Sequence, residues 1–263
     1  MQLNEVTAKT GYVWFRQGIW LFRRNPLGFL TLFFAYAFAM MIVSLVPVAG
    51  SVLPLILIPG VSVGFMAACR EGVQRKPFFP NILISGFRRC GPVAARRLLL
   101  IGIVYAVCIV LVFAVSALAD GGMLMKMMLL GSQPTDAAVA TGNLPMAVLL
   151  AVIAYIPVAM IFWFAPVLIA WHDVPPQKAV FFSLVACWRN RGAFLIYGAI
   201  WVAVIMLVSF VLTSLLHVLG AGAAGIAILM PVSLVVTTML YCSFYATYRG
   251  CFGINTEEVE PIA

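Results

Sequence analysis

The sequence predicts an all-α fold, a polytopic membrane bundle of six spans joined by amphipathic helices at the interface. Three observations carry this. Of 263 residues, 64% are hydrophobic and only 9% charged, whereas a soluble domain carries about 25% charged residues. The apolar residues fall in continuous runs. A barrel strand would be shorter and would alternate in polarity. The cations, finally, stand almost entirely beside alternate runs. The mean hydropathy is +1.11.

The runs follow in order. A hydrocarbon core of about 30 Å needs about 20 apolar residues per span. Leu27 to Val46 is the first span, and Pro47 to Ser51 a tight turn. Val52 to Cys69 is the second, with Pro54 and Pro59. After a basic segment from Arg70 to Arg97, the third span runs from Leu98 to Leu118. The polar break Asp120 to Pro145 leads to the fourth, Met146 to Trp171, which holds Pro157 and Pro166. The fifth is Ala193 to His217; Gly220 to Gly225 turns the chain. The sixth is Ile226 to Tyr248, with Pro231, and a short acidic tail closes the chain at 251–263. The N-terminus does not read as a cleavable signal, because 26 residues precede a run long enough to span.

Fifteen of the sixteen Lys and Arg residues fall on one side of a six-span arrangement; Lys126 alone falls on the other. Lys and Arg collect in cytoplasmic loops, so both termini are expected in the cytoplasm. The net charge of +8 then suits anionic lipid headgroups rather than nucleic acid.

A pattern recurs before each odd-numbered span: an aromatic residue, then Arg, then a helix breaker. The three instances are Phe22-Arg23 with Pro26, Phe87-Arg88 with Gly91-Pro92, and Trp188-Arg189 with Gly192. From Lys9 to Arg24, a helix at about 100° per residue gathers Trp14, Phe15, Gly18, Leu21 and Phe22 on one side. Lys9, Arg16 and Arg23 gather on the other. Such a helix is expected to lie flat, its apolar face in the acyl boundary and its basic face toward phosphate. The unit is then an interfacial helix, a turn and a two-span hairpin. Three copies in one orientation make a parallel repeat over 9–70, 76–171 and 175–250. The candidate headgroup contacts are Arg16, Arg23, Arg24, Arg88, Arg89, Arg96, Arg97, Arg189 and Arg191.

Chemistry inside the bilayer usually needs an ionisable group there, and no span carries one near its centre. No zincin, hydrolase, P-loop or dinucleotide motif occurs. The expectation is a non-enzymatic protein without cofactor or metal. No two cysteines are spaced CxxC, and neither a structural disulfide nor a zinc site is expected. His172-Asp173 reads as a polar pair in which Asp173 caps the helix entered through Pro175-Pro176, in preference to an acid–base or metal pair. Met123, Met125, Met127 and Met128 around Lys126 suit a short helix resting on the membrane. Soft thioethers also leave an external Cu(I) site open. Tyr105, Tyr155, Tyr197, Tyr241 and Tyr245, with Thr237, Thr238 and Ser243, read as interhelical hydrogen bonders rather than the lining of a polar crevice.

The segment Phe164 to Gly198 (FAPVLIAWHDVPPQKAVFFSLVACWRNRGAFLIYG), together with Gly18, Trp20, Phe22, Asn25 and Pro26, resembles an uncharacterised family of six-span proteobacterial inner-membrane proteins. The likeness covers most of the chain outside Asp120 to Pro145. It implies an inner-membrane location and brings no activity. More loosely, the helix-plus-hairpin pattern resembles the membrane domain fused to some glycerophosphodiester phosphodiesterases. These 263 residues hold no hydrolase domain, so that activity does not carry over. The expected role is to organise or regulate the membrane through lipid contacts, or through a protein partner or a second copy of the chain. The alternative is a permease or flippase for an uncharged or amphiphilic molecule, which the proline-broken spans would suit. A third possibility is a subunit of a larger complex.

Overall fold

A computed structural model describes residues 3–46, 50–88, 90–131, 143–218 and 224–253. Arg89, most of the turn at Pro47, residues 132–142 of the polar break after Asp120, much of the Gly220 to Gly225 turn and residues 254–263 of the acidic tail lie outside the described residues. Among the described residues every regular element is helical. The helices are α1 (Thr10–Arg24), α2 (Pro26–Ser44), α3 (Leu53–Val73), α4 (Ser85–Arg88), α5 (Gly91–Asp120) and α6 (Met123–Leu130). They continue with α7 (Leu144–Phe162), α8 (Ala165–His172), α9 (Pro176–Arg189), α10 (Arg191–Val218) and α11 (Ala224–Phe252). A 3-10 turn, Pro80–Ile84, precedes α4.

Six candidate spans result: α2, α3, α5, α7 continued by α8, α10, and α11 from Leu229. They expose apolar side chains over much of their length, Phe34, Phe38 and Met41 on α2 and Leu207 and Phe210 on α10 among them. Only a hydrocarbon solvent accommodates so much exposed apolar surface. Their ends fall within about four residues of those expected from the sequence, except that α5 begins at Gly91, seven residues before the expected Leu98.

The chain gathers into two compact units. The first holds 1–36, 65–83 and 186–263; the second holds 37–64 and 84–185.

In the first unit α1 packs on α11 and α10. Gly11, Trp14, Gly18, Leu21 and Phe22 form its buried face. Contacts between helices in lipid rest on close packing by small residues, and that is what occurs. A Cβ at Gly18 would run into Ser243 on α11, and one at Gly11 into the Ala193 carbonyl on α10. Trp14 is 1% exposed, with its ring 5.2 Å from that of Phe194 and 6.2 Å from that of Tyr197. This corrects the expectation for α1. Its apolar face lies against protein, and its basic face is what remains at the surface. A second aromatic cluster joins Phe29 to Phe65 and Phe78, and Phe33 to Tyr241.

In the second unit α5 packs along α7 and α8. The α7–α8 break at Trp163 and Phe164 is closed by one side chain. Ser183 accepts from the Phe164 N–H at 3.0 Å and donates to the Met160 carbonyl at 2.8 Å. Pro166 in the next turn brings no N–H of its own. Backbone groups freed near a proline in a span must find such a partner. The stretch before α5 is shorter than the expected helix, a 3-10 turn followed by the single turn of α4. Pro80 and Gly86 within it oppose a longer helix. At the end of α5, Asp120 accepts from the N–H groups of Gly122 (2.9 Å) and Leu124 (2.7 Å), an acid at the N-terminus of α6 where the helix dipole favours it. Met123 is buried and Met128 exposed.

Candidate functional site

Basic side chains are the chain's main polar resource, so the site is built from them. On α1, Arg16 and Arg23 are exposed on the side away from the buried face and Arg24 is half-buried. The Arg24 guanidinium lies 3.9 Å from the centre of the Trp20 ring, within the range of a cation–π contact. Arg16, Ile19, Trp20, Arg23 and Arg24 line a surface groove of about 390 Å³.

Arg24 also faces a second cleft, of about 520 Å³, lined by Arg24, Asn25, Gly72, Arg75, Lys76 and Pro77. It lies where α1 ends, α2 begins and α3 ends. Arg24 donates to the Val73 carbonyl at 3.1 Å. Asn25 accepts from the Gly28 N–H through its side-chain oxygen at 3.1 Å and so caps α2. Besides that Arg24 bond, the end of α3 is closed by backbone: the Arg75 N–H bonds to the Gly72 carbonyl at 3.3 Å and the Lys76 N–H to the Glu71 carbonyl at 3.0 Å. This is the Schellman arrangement, whose left-handed residue is usually glycine. Here it is Arg75, at φ +58°.

Other sequence candidates meet different fates. Arg97 on α5 pairs with Asp173 at 2.5 Å and also donates to its carbonyl at 3.2 Å. Asp173 therefore does not cap α9, as the sequence suggests. It ends α8 in a left-handed conformation, φ +51°, and its carboxylate turns to Arg97. Arg88 and Arg96 are exposed. Arg189 pairs with Glu5 at 3.4 Å, and the Arg191 guanidinium lies 5.6 Å from the centre of the Trp188 ring. The structure thus brings Arg16, Arg23 and Arg24 together on one surface. Sequence reasoning missed Arg75 and Lys76 as site residues. The available signal was their place immediately before Pro77, where a helix must already have ended.

A buried polar junction lies at the start of α10. Asn190, 1% exposed, accepts from the Val6 N–H at 2.8 Å and donates to the carbonyls of Asn4 (3.1 Å) and Ala186 (3.0 Å). The Asn4 N–H bonds to the Cys251 carbonyl at 2.8 Å. Burial, with the nearby Cys251 sulfur, pushes the Cys187 thiol well above its ordinary pKa, which makes it a poor nucleophile. Tyr197 and Ser243 share a short hydroxyl–hydroxyl bond at 2.5 Å between α10 and α11. Thr237 and Thr238 bond carbonyls of their own helix. Ser209, Ser233 and Thr237 do reach a narrow space of about 140 Å³ between α10 and α11.

Fold and surface together define a polytopic α-helical membrane protein. Over 257 residues, 97% of this chain and 95% of the relative, the sequence is 60% identical to a probable inner membrane protein of Burkholderia thailandensis. The chain belongs to that protein's family. No protein-family profile matches the chain, and no solved structure matches it.

Proposed function

We propose that this protein organises or regulates the inner membrane without catalysis, holding anionic lipid on its basic surface with both termini in the cytoplasm. One observation carries the reading. Helix α1 spends its apolar face on α10 and α11, and turns Arg16 and Arg23 outward beside the half-buried Arg24. A basic residue near an anionic leaflet contributes about 1 kcal/mol of attraction. The looser likeness to the membrane domain of glycerophosphodiester phosphodiesterases fits a lipid-facing module, with the hydrolytic activity left aside. The test is reconstitution into nanodiscs of graded anionic content, with retained lipid identified by native mass spectrometry. Wild type should enrich anionic lipid, and an Arg16→Ala/Arg23→Ala double variant should lose most of that enrichment. Equal lipid profiles for the two would refute the proposal.

The permease reading has one supporting observation, the hydroxyl-bearing space between α10 and α11. It requires flux of a small neutral solute into proteoliposomes, reduced by Ser233→Leu. Absence of flux above empty liposomes would end it.

A further inference from the structure

The cleft at the α1–α2 junction has a composition that the folding of its own elements does not explain. Two helix C-termini meet there, and carbonyl ends favour cations. Arg24 answers that demand for the Val73 carbonyl. Arg75 and Lys76 do not, because the backbone bonds of the Schellman turn already close α3. Both are exposed and both line the cleft. Among the described residues the ion pairs are Arg97–Asp173 and Arg189–Glu5, so neither side chain has a carboxylate partner. Among the described residues no carboxylate lines the cleft.

Arg75 is also held where an L-residue is strained. A left-handed conformation at a non-glycine position disfavours the fold, and glycine would adopt it freely. The sequence keeps a guanidinium there instead.

Resting on the lipid reading above and making it specific, we infer that Arg24, Arg75 and Lys76 form a binding site for a phosphomonoester dianion. A phosphomonoester carries about −1.5 to −2 charges near neutral pH, against three cations in the cleft. A phosphodiester carries one. Arginine's fork matches phosphate oxygens in pairs, and the Asn25 amide nitrogen adds a neutral donor at the rim. At about 520 Å³ the cleft exceeds a bare phosphate and accepts the glycerol portion of a headgroup as well. The dianion could arrive on a lipid, as in phosphatidic acid, or free in solution, as inorganic phosphate or glycerol 3-phosphate.

The experiment uses the full chain and three proteins: wild type, Arg75→Gly and Lys76→Ala. In the lipid arm, nanodiscs hold phosphatidic acid or phosphatidylglycerol at matched surface charge, and bound lipid is counted by native mass spectrometry. In the soluble arm, the protein in neutral detergent is titrated with inorganic phosphate and with glycerol 3-phosphate. Wild type should prefer phosphatidic acid about tenfold, in line with the strength of hydrogen bonds to charged groups. Both variants should lose most of that preference. Arg75→Gly should at the same time melt higher, by roughly 2–4 °C, because it relieves the strained turn. A merely structural Arg75 would leave the preference unchanged in that variant.

Preference for phosphatidic acid assigns the site to lipid. Saturable binding of the soluble phosphates, lost in both variants and without a lipid preference, assigns it to a soluble phosphomonoester. Binding equal between monoester and diester in wild type, with no soluble binding, overturns the inference. The Arg16→Ala/Arg23→Ala result is read separately, so the broader lipid proposal can fail while this site stands.

Discussion

At the first junction Phe22 is buried, Asn25 caps α2, and Arg24 opens onto a cleft with two further cations. At the third, Trp188 is 60% exposed, Arg189 is paired with Glu5, and Asn190 is fully enclosed by the chain's first residues. Both began as an aromatic residue, an arginine and a helix breaker. The difference lies in what the preceding helix rests on. Helix α1 finds α11 and α10 to cover its aromatic face, which leaves its polar end lining the cleft. Helix α9 buries a row of small residues (Ala179, Ser183, Ala186) and leaves Phe181 and Trp188 outside. Its polar end is consumed in holding the N-terminal segment. One junction is open to phosphate and the other is a lock.

Breaking the packing beneath the first junction should have the largest effect. Gly18→Leu forces a side chain into Ser243 and should cost about 3 kcal/mol or more, since overpacking alone costs about 1–3. Loss of a cooperative melting transition in detergent would register it. The lock comes next. Asn190→Ala leaves buried partners unpaired and should cost about 1–3 kcal/mol, with faster hydrogen exchange at Val6. Unchanged exchange there would mean that Asn190 does not hold the segment. Ser183→Ala should cost a similar or slightly smaller amount, read as easier unfolding of the α7–α8 region by hydrogen exchange. Arg189→Ala removes only an exposed pair with Glu5, worth about 0–1 kcal/mol. An effect on melting as large as that of Asn190→Ala would show the contrast between lock and rim to be misplaced.

The six spans were legible because hydrocarbon imposes a length and forbids charge. The first was expected from Leu27 to Val46 and is α2, Pro26–Ser44. The buried face of α1 was legible too, since Trp14, Gly18, Leu21 and Phe22 share one side at helical spacing. What covers that face was not. Periodicity separates residues that leave water from those that meet it, and does not say whether lipid or another helix receives them. The Arg75–Lys76 cleft was hidden for a related reason. It depends on a left-handed residue and on three helix ends meeting, and no local pattern encodes either. Asp173 was misplaced because its partner, Arg97, lies 76 positions away.

The bond from the Asn4 N–H to the Cys251 carbonyl has a topological consequence. Two residues in contact stand at one membrane surface, so the crossings between Asn4 and Cys251 must be even in number, whatever any charge rule says. The same contact supports a test: a short linker from Asn4 to Gly253, with the chain reopened in the polar break between Asp120 and Pro145, should yield a circular permutant that still inserts and folds.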